Sequence, residues 1–222
     1  MEKVLPFIPY VAIGIPLTIL VALVSFLASV VIGALLGVSF ETGTQKTKWT
    51  IGIYLTIFRS LPELLTLLLL YYGATAALGS LGLGSWTVSP FAAAAVALGV
   101  QFGAYATQVF RDAYRAVPTG LVDAAVAVGM TRRQTRSRVL VPLMFRFALP
   151  ALVNLFMNLL KVTSLTSVIG VEEVTRRSYM VSGTTHQPMW VYALSAAFFL
   201  LIAAAIIPVQ RWSERQVARD AP

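Results

Sequence analysis

The sequence predicts an all-α integral membrane protein that crosses the bilayer five times, and three observations predict it. Of its 222 residues, 58% are hydrophobic and 12% charged, whereas soluble globular domains run nearer half apolar and about a quarter charged. The charges are gathered in a few places; from Val4 to Phe40 there is no Asp, Glu, Lys or Arg. The uncharged stretches between them reach the roughly 20 mainly apolar residues that the hydrocarbon core requires.

Composition also excludes several classes. Cysteine is absent, which removes disulfides, thiol nucleophiles and thiolate metal sites. The net charge of +8 reflects cytoplasmic loops facing anionic lipid rather than nucleic-acid binding. The first apolar run far exceeds the roughly 7–15 residues of a signal-peptide core, so the N-terminus is expected to stay attached.

In order along the chain, the first span covers about 12–39, and Pro6, Pro9 and Pro16 make residues 4–10 an interfacial elbow ahead of it. The second covers about 50–72, the third 90–110, the fourth 148–170 and the fifth 188–209, all within a single domain, 1–222. Orientation follows from the connections. Lys46 and Lys48, the seven arginines of the 111–147 loop, and Arg211, Arg215 and Arg219 mark three basic segments. The 73–89 loop is uncharged, and the 171–187 loop balances Glu172 and Glu173 against Arg176 and Arg177. Basic residues mark the cytoplasmic side. All three basic segments fall there only with five spans, the N-terminus outside and the C-terminus in the cytoplasm.

The 111–147 loop carries the most specific pattern. Pro118 suits a first helical turn, Leu121, Ala124, Ala125 and Val128 recur at helical spacing, and Gly129 is a C-terminal stop. Thr131 with Gln134 three residues on predicts a capping box opening a second, basic helix. Pro142 is expected to end that helix at Val141. The first helix has an apolar face that a partner's groove could cover; lying on lipid headgroups is the other reading. A DNA-reading helix-turn-helix is a poor third reading, because both ends are tied to spans and leave little reach to a major groove.

The run Asp123-Ala124-Ala125, with Gly129 and then Val139-Leu140-Val141-Pro142, resembles the EAA loop of type I ABC-importer permeases. Gln101-Phe102-Gly103-Ala104-Tyr105-Ala106-Thr107, Leu160-Lys161-Val162-Thr163-Ser164-Leu165, Ser167-Val168-Ile169-Gly170-Val171-Glu172-Glu173 and Phe58-Arg59-Ser60-Leu61-Pro62-Glu63 are similar to the polar amino acid branch, the basic amino acid, histidine and opine-like permeases. The resemblance covers nearly the whole chain. It implies a five-helix permease core in a bacterial inner membrane, paired with a second permease subunit, the same chain or a related one. Two ATPase subunits would carry ATP and Mg, and an extracytoplasmic solute-binding protein would deliver the amino acid. This chain would bind no cofactor and hydrolyse nothing itself. The helix at 119–128 would be a coupling helix, with Leu121, Asp123, Ala124, Ala125, Gly129, Met130 and Pro142 at the contact. Asp123 stands where the family has glutamate, and Gln108 where it usually has an acid.

Charges at membrane depth require a reason, since each costs roughly 2.5–3.5 kcal/mol at the bilayer centre on insertion scales. Arg59 and Glu63 are four residues apart in the second span, on one face of a helix that Pro62 should kink. They line a substrate pathway or form a structural ion pair. On the first reading Glu63 faces a cationic group, and the resemblance then favours arginine, lysine, ornithine, histidine or an arginine-derived compound. Asn154, Asn158, Lys161 and Ser164 form a polar stripe on span four, which is pathway lining or helix–helix glue. Glu172 and Glu173 meet a binding protein, close an outer gate, or form a solvated cluster. His186 and the aromatic residues Tyr71, Tyr72, Trp86 and Trp190 read as surface and membrane-belt residues. Gly82-Leu83-Gly84-Ser85 is too short for a phosphate loop and lacks its lysine. The rival function is an ion-coupled carrier for a small polar solute, using Arg59, Glu63 and Lys161. An intramembrane enzyme would need paired catalytic groups at one depth, and the sequence has none.

Overall fold

Proline opens most of the helices, because its fixed φ suits a first turn and its missing N–H is not needed there. In the computed structural model, which describes residues 3–82 and 88–218, Pro6 starts a 3₁₀ turn, Leu5–Phe7. Pro9 starts α1 (Ile8–Ala12) and Pro16 starts α2 (Ile15–Thr42). The elbow is therefore helical, and Val4 and Val11 bury it against Val174, Val181 and Val191.

Thr44 caps α3 (Gln45–Ser60), accepting from the Thr47 N–H at 3.4 Å. After a break comes α4 (Glu63–Ser80), and Ser89 caps α5 (Pro90–Ala116). The 111–147 connection holds α6 (Thr119–Ala127) and α7 (Arg132–Thr135). A π-helical turn, Arg136–Leu140, runs into α8 (Val141–Val162) and a 3₁₀ stretch, Thr163–Ile169. Next are α9 (Val174–Thr185) and α10 (Pro188–Ala218). Among the described residues, five helical stretches are long and apolar enough to cross a membrane: Leu5–Thr42, Glu63–Ser80, Pro90–Ala116, Arg132–Ile169 and Pro188–Gln216. Among the described residues there is no strand.

The centre of the bundle is α5, and small residues bring α2 onto it. A Cβ added to Gly33 would lie 2.4 Å from the Ala106 Cβ, and one at Gly37 would lie 2.8 Å from the Phe110 Cβ. Apolar surface cannot drive helices together within lipid, so such close approach is what holds them. On α5's other side, Phe102, Phe110 and Ala113 join Met144, Ala148, Leu152, Leu155 and Leu159 of α8 in the largest core cluster, and Phe199, Ile202 and Ile206 of α10 pack against it.

Three sequence expectations change. The second span is not one kinked helix over 50–72. The chain is extended at Leu61 (ψ 136°) and Pro62 (ψ 140°), so α3 ends and α4 begins afresh. Arg59 and Glu63 consequently do not share one continuous helix. Pro142 does not end the basic helix. The π turn absorbs it: the Val141 N–H reaches back five residues to the Arg136 carbonyl, and Leu140 and Val141 stay helical. A widened turn supplies the room and the register that a proline ring denies an α-helix. Finally, most of the 171–187 loop is α9. Trp86, Arg219 and part of the Gly82–Ser85 run lie outside the described residues.

Candidate functional site: a membrane cleft and a docking end

The break at Leu61–Pro62 opens beside a cleft of about 370 Å³ lined by Glu63 of α4, Phe102 and Tyr105 of α5, and Leu155, Asn158, Lys161 and Val162 at the end of α8. Glu63 is the first residue of its helix, where a carboxylate also complements the helix dipole. Asn158 and Lys161, three residues apart, come from one face of α8 and are exposed along it. The Arg59 guanidinium lies 5.9 Å from the centre of the Tyr105 ring, so it borders the same region. Of the predicted pathway residues, then, Glu63, Asn158 and Lys161 line the cleft and Arg59 flanks it. Asn154 sits one turn away, outside the lining, and the Ser164 hydroxyl donates to the Lys161 carbonyl at 2.8 Å. An acid, an amide and a cation around a partly apolar chamber can hold a zwitterion bearing a further charge.

At the other end of α5 the predicted docking residues converge. Leu121, Ala124, Ala125, Val128, Met130 and Pro142 line an open, mostly apolar cleft of about 570 Å³ between α6 and the π turn. Ala125 is buried and Val122 packs against the core, whereas Leu121 and Val128 are 47% and 76% exposed. The apolar face is thus part covered by the chain's own helix. Asp123 is exposed. Gly129 takes φ +84°, the left-handed turn that ends α6, and the Thr131–Gln134 capping box is formed. Glu41, at the end of α2, accepts from Arg111 at 3.2 Å and lies 2.9 Å from Arg115. Gln108 accepts from Arg111 at 3.0 Å and donates to Asp112 at 2.8 Å. The 40–49 and 111–147 segments therefore share one end of the bundle.

At the opposite end, Glu172 pairs with Arg177 at 3.1 Å, but Glu173 is fully buried and caps α9. It accepts from the N–H groups of Thr175 and Arg176 at 2.9 and 2.8 Å. Burial pushes its carboxyl up to about 7 despite those bonds. The expectation of an exposed acidic pair fails for this residue, because its carboxylate is spent on the helix terminus. His186 is exposed and ends α9 at φ 52°.

Residues 29–219 match the family of binding-protein-dependent transport system inner membrane components. The chain belongs to that family. This permease is 32% identical over 205 residues to the histidine/lysine/arginine/ornithine transport system permease protein HisQ of Escherichia coli, covering 89% of this chain and 90% of the relative. It is 34% identical over 218 residues to the nopaline transport system permease protein NocQ of Agrobacterium fabrum, covering 92% and 91%. A solved amino acid ABC transporter with histidines superposes with a TM-score of 0.84 at 25% identity, over 97% of both chains. The permease is a membrane-embedded component of an ABC importer, in which ATP hydrolysis belongs to a separate ATPase subunit.

Sequence reasoning missed Tyr105 and Phe102 as cleft residues. The signal was present: Gln101 and Tyr105 are one turn apart in a span whose other polar residues, Thr107 and Gln108, lie towards its end, and polar groups at membrane depth need a function or a partner.

Proposed function

We propose that this permease imports cationic amino acids or an arginine-derived compound through the cleft at Glu63, Asn158 and Lys161. The observation that carries this is the convergence of an acid, an amide and a cation from α4 and α8 beside the break between α3 and α4. Discontinuous helices with charged groups at the break are a recurrent way of building a midplane substrate site. Glu63 takes the substrate's side-chain cation, and Lys161 with Asn158 takes its carboxylate. Relatives named for histidine, lysine, arginine and ornithine and for nopaline support that substrate class.

The driving force enters at α6. Its exposed apolar side, with Asp123 beside it, seats in a groove of an ATPase subunit that carries ATP and Mg. A pair of permeases, this chain with itself or with a related one, works with two ATPases and an extracytoplasmic binding protein by alternating access. The N-terminus lies outside and the basic end, with the C-terminus, in the cytoplasm.

Reconstitution of the complete importer in proteoliposomes, with labelled arginine and glutamine as competing substrates, tests the reading. Glu63→Gln should weaken arginine uptake at least tenfold while affecting glutamine far less. Unchanged selectivity removes the pathway. Asp123→Lys and Gly129→Asp should lose co-purification of the ATPase while the spans still fold; normal co-purification by both removes the docking role.

A further inference from the structure

Gln101 is wholly buried in α5, one turn from Tyr105. Its side-chain Nε2 donates to the Leu61 carbonyl at 2.9 Å, across 40 residues of sequence. That carbonyl needs the bond. With Leu61 and Pro62 extended, the α4 ladder begins with the Thr66 N–H on the Pro62 carbonyl, so Leu61 has left the helical register. A backbone carbonyl that faces a buried side chain is costly to leave unpaired. Since Leu61 offers only an acceptor, the amide must turn its NH₂ toward it, and the Oε1 is buried without a partner.

A second bond crosses the same junction in the opposite sense. The Tyr54 hydroxyl of α3 donates to the Val100 carbonyl of α5 at 2.6 Å. Here Gly103 leaves the space the tyrosine occupies: a Cβ there would lie 2.9 Å from the hydroxyl oxygen. Tyr54 holds the body of α3 to α5, and Gln101 holds its broken end. Glu63 is two residues beyond the Leu61 carbonyl.

We propose that Gln101 is a positioning residue for the substrate cleft: its amide, clasping the Leu61 carbonyl, fixes the break between α3 and α4 and so sets where Glu63 stands opposite Asn158 and Lys161. This rests on the reading of that cleft as the substrate pathway. The unpartnered Oε1 makes the idea testable apart from stability. Replacing Gln101 by methionine, of nearly equal length, removes one hydrogen bond but also removes one orphaned buried acceptor, whose desolvation is unfavourable. The fold should tolerate the change, whereas the position of Glu63 should not.

The test uses the complete importer in proteoliposomes with labelled arginine as the probe. Gln101→Met is expected to raise KM for arginine at least fivefold with the maximal rate within twofold, and to reduce discrimination against glutamine. Gln101→Asn, one methylene too short to reach Leu61, should behave in the same way, and it is read instead if the methionine variant does not accumulate. The chain has no cysteine, so a single Ser60→Cys reports on the junction, and its labelling by a water-soluble thiol reagent should change at least threefold when Gln101→Met is added. Wild-type KM, selectivity and labelling in these variants overturn the assignment. If Glu63→Gln alone alters selectivity, the pathway stands and only the role of Gln101 falls; if neither substitution has an effect, the pathway falls as well.

Discussion

The Arg111 guanidinium lies 3.6 Å from the centre of the Phe40 ring while its Nε donates to Glu41, the next residue, at 3.2 Å. One side chain of α5 therefore grips the last turn of α2 through both a ring face and a carboxylate. Because Glu41 also pairs with Arg115, it joins the end of α2 to the segment that leads into α6.

Glu41→Gln should loosen that end without disturbing the membrane core. The Glu41 side chain is 12% exposed, so the loss lies between surface-pair and buried-pair values, about 1–3 kcal/mol. A thermal melt of the purified permease complex in detergent checks it; an unchanged midpoint refutes the grip.

Gly33→Val should prevent α2 from docking on α5. The added Cβ meets the Ala106 backbone carbon at 2.7 Å as well as its side chain, and backbone cannot step aside. Overpacking of this kind costs roughly 1–3 kcal/mol or more. The yield of folded protein on size exclusion should collapse, whereas Gly52→Ala, on an open helix face, should leave it unchanged.

Gly129→Val and Gly129→Asn should separate. Within this chain the site has open space around it, so only its positive φ resists an uncharged substituent, at about 1–2 kcal/mol for most residues and least for asparagine, whereas the aspartate of Gly129→Asp adds a charge at the docking face. Transport and ATPase co-purification should survive the asparagine and fall with the valine. Equal behaviour of the two would show that the left-handed turn is dispensable.

Glu173 makes stability pH-dependent. Its carboxyl, held up to about 7 by burial, ionises in the unfolded chain near the ordinary value of about 4.3. Between those values the native state holds a proton that the unfolded state has released, so stability falls as pH rises through this window and then levels off. The full span amounts to something on the order of 3 kcal/mol. Melting midpoints should drop from pH 5 to pH 8, and Glu173→Gln should flatten that part of the profile; a rising profile removes the explanation.

The membrane class, five crossing stretches and the α6–α7 corner were legible because each rests on a local rule: apolar length, a proline at a first turn, a glycine stop, a capping box. What escaped depended on contacts between distant segments. Pro62 announces a disturbance in any helix, but whether the helix kinks or parts depends on a partner for the freed carbonyl, and that partner, Gln101, is 40 residues away. Pro142 was misread for the same reason. A proline ends a helix only if the backbone cannot widen, and here it widens into the π turn at Arg136–Leu140. Glu173 looked like a surface acid because Glu172 beside it is one; nothing local shows that the second of the two turns inward to cap α9.

The continuity of the polypeptide from Arg132 to Lys161 has a mechanical corollary. Twenty-nine steps at about 1.5 Å each form a rod of roughly 40 Å, with its base beside the α6 knob and its tip in the chamber facing Glu63. The backbone stays helical throughout, and Pro142 and Pro150 are the two places where a proline removes an N–H from its ladder. A tilt of a few degrees imposed at the base therefore reaches Lys161 as a displacement of a few ångströms, enough to make or break a salt bridge, without any relay of side chains in between.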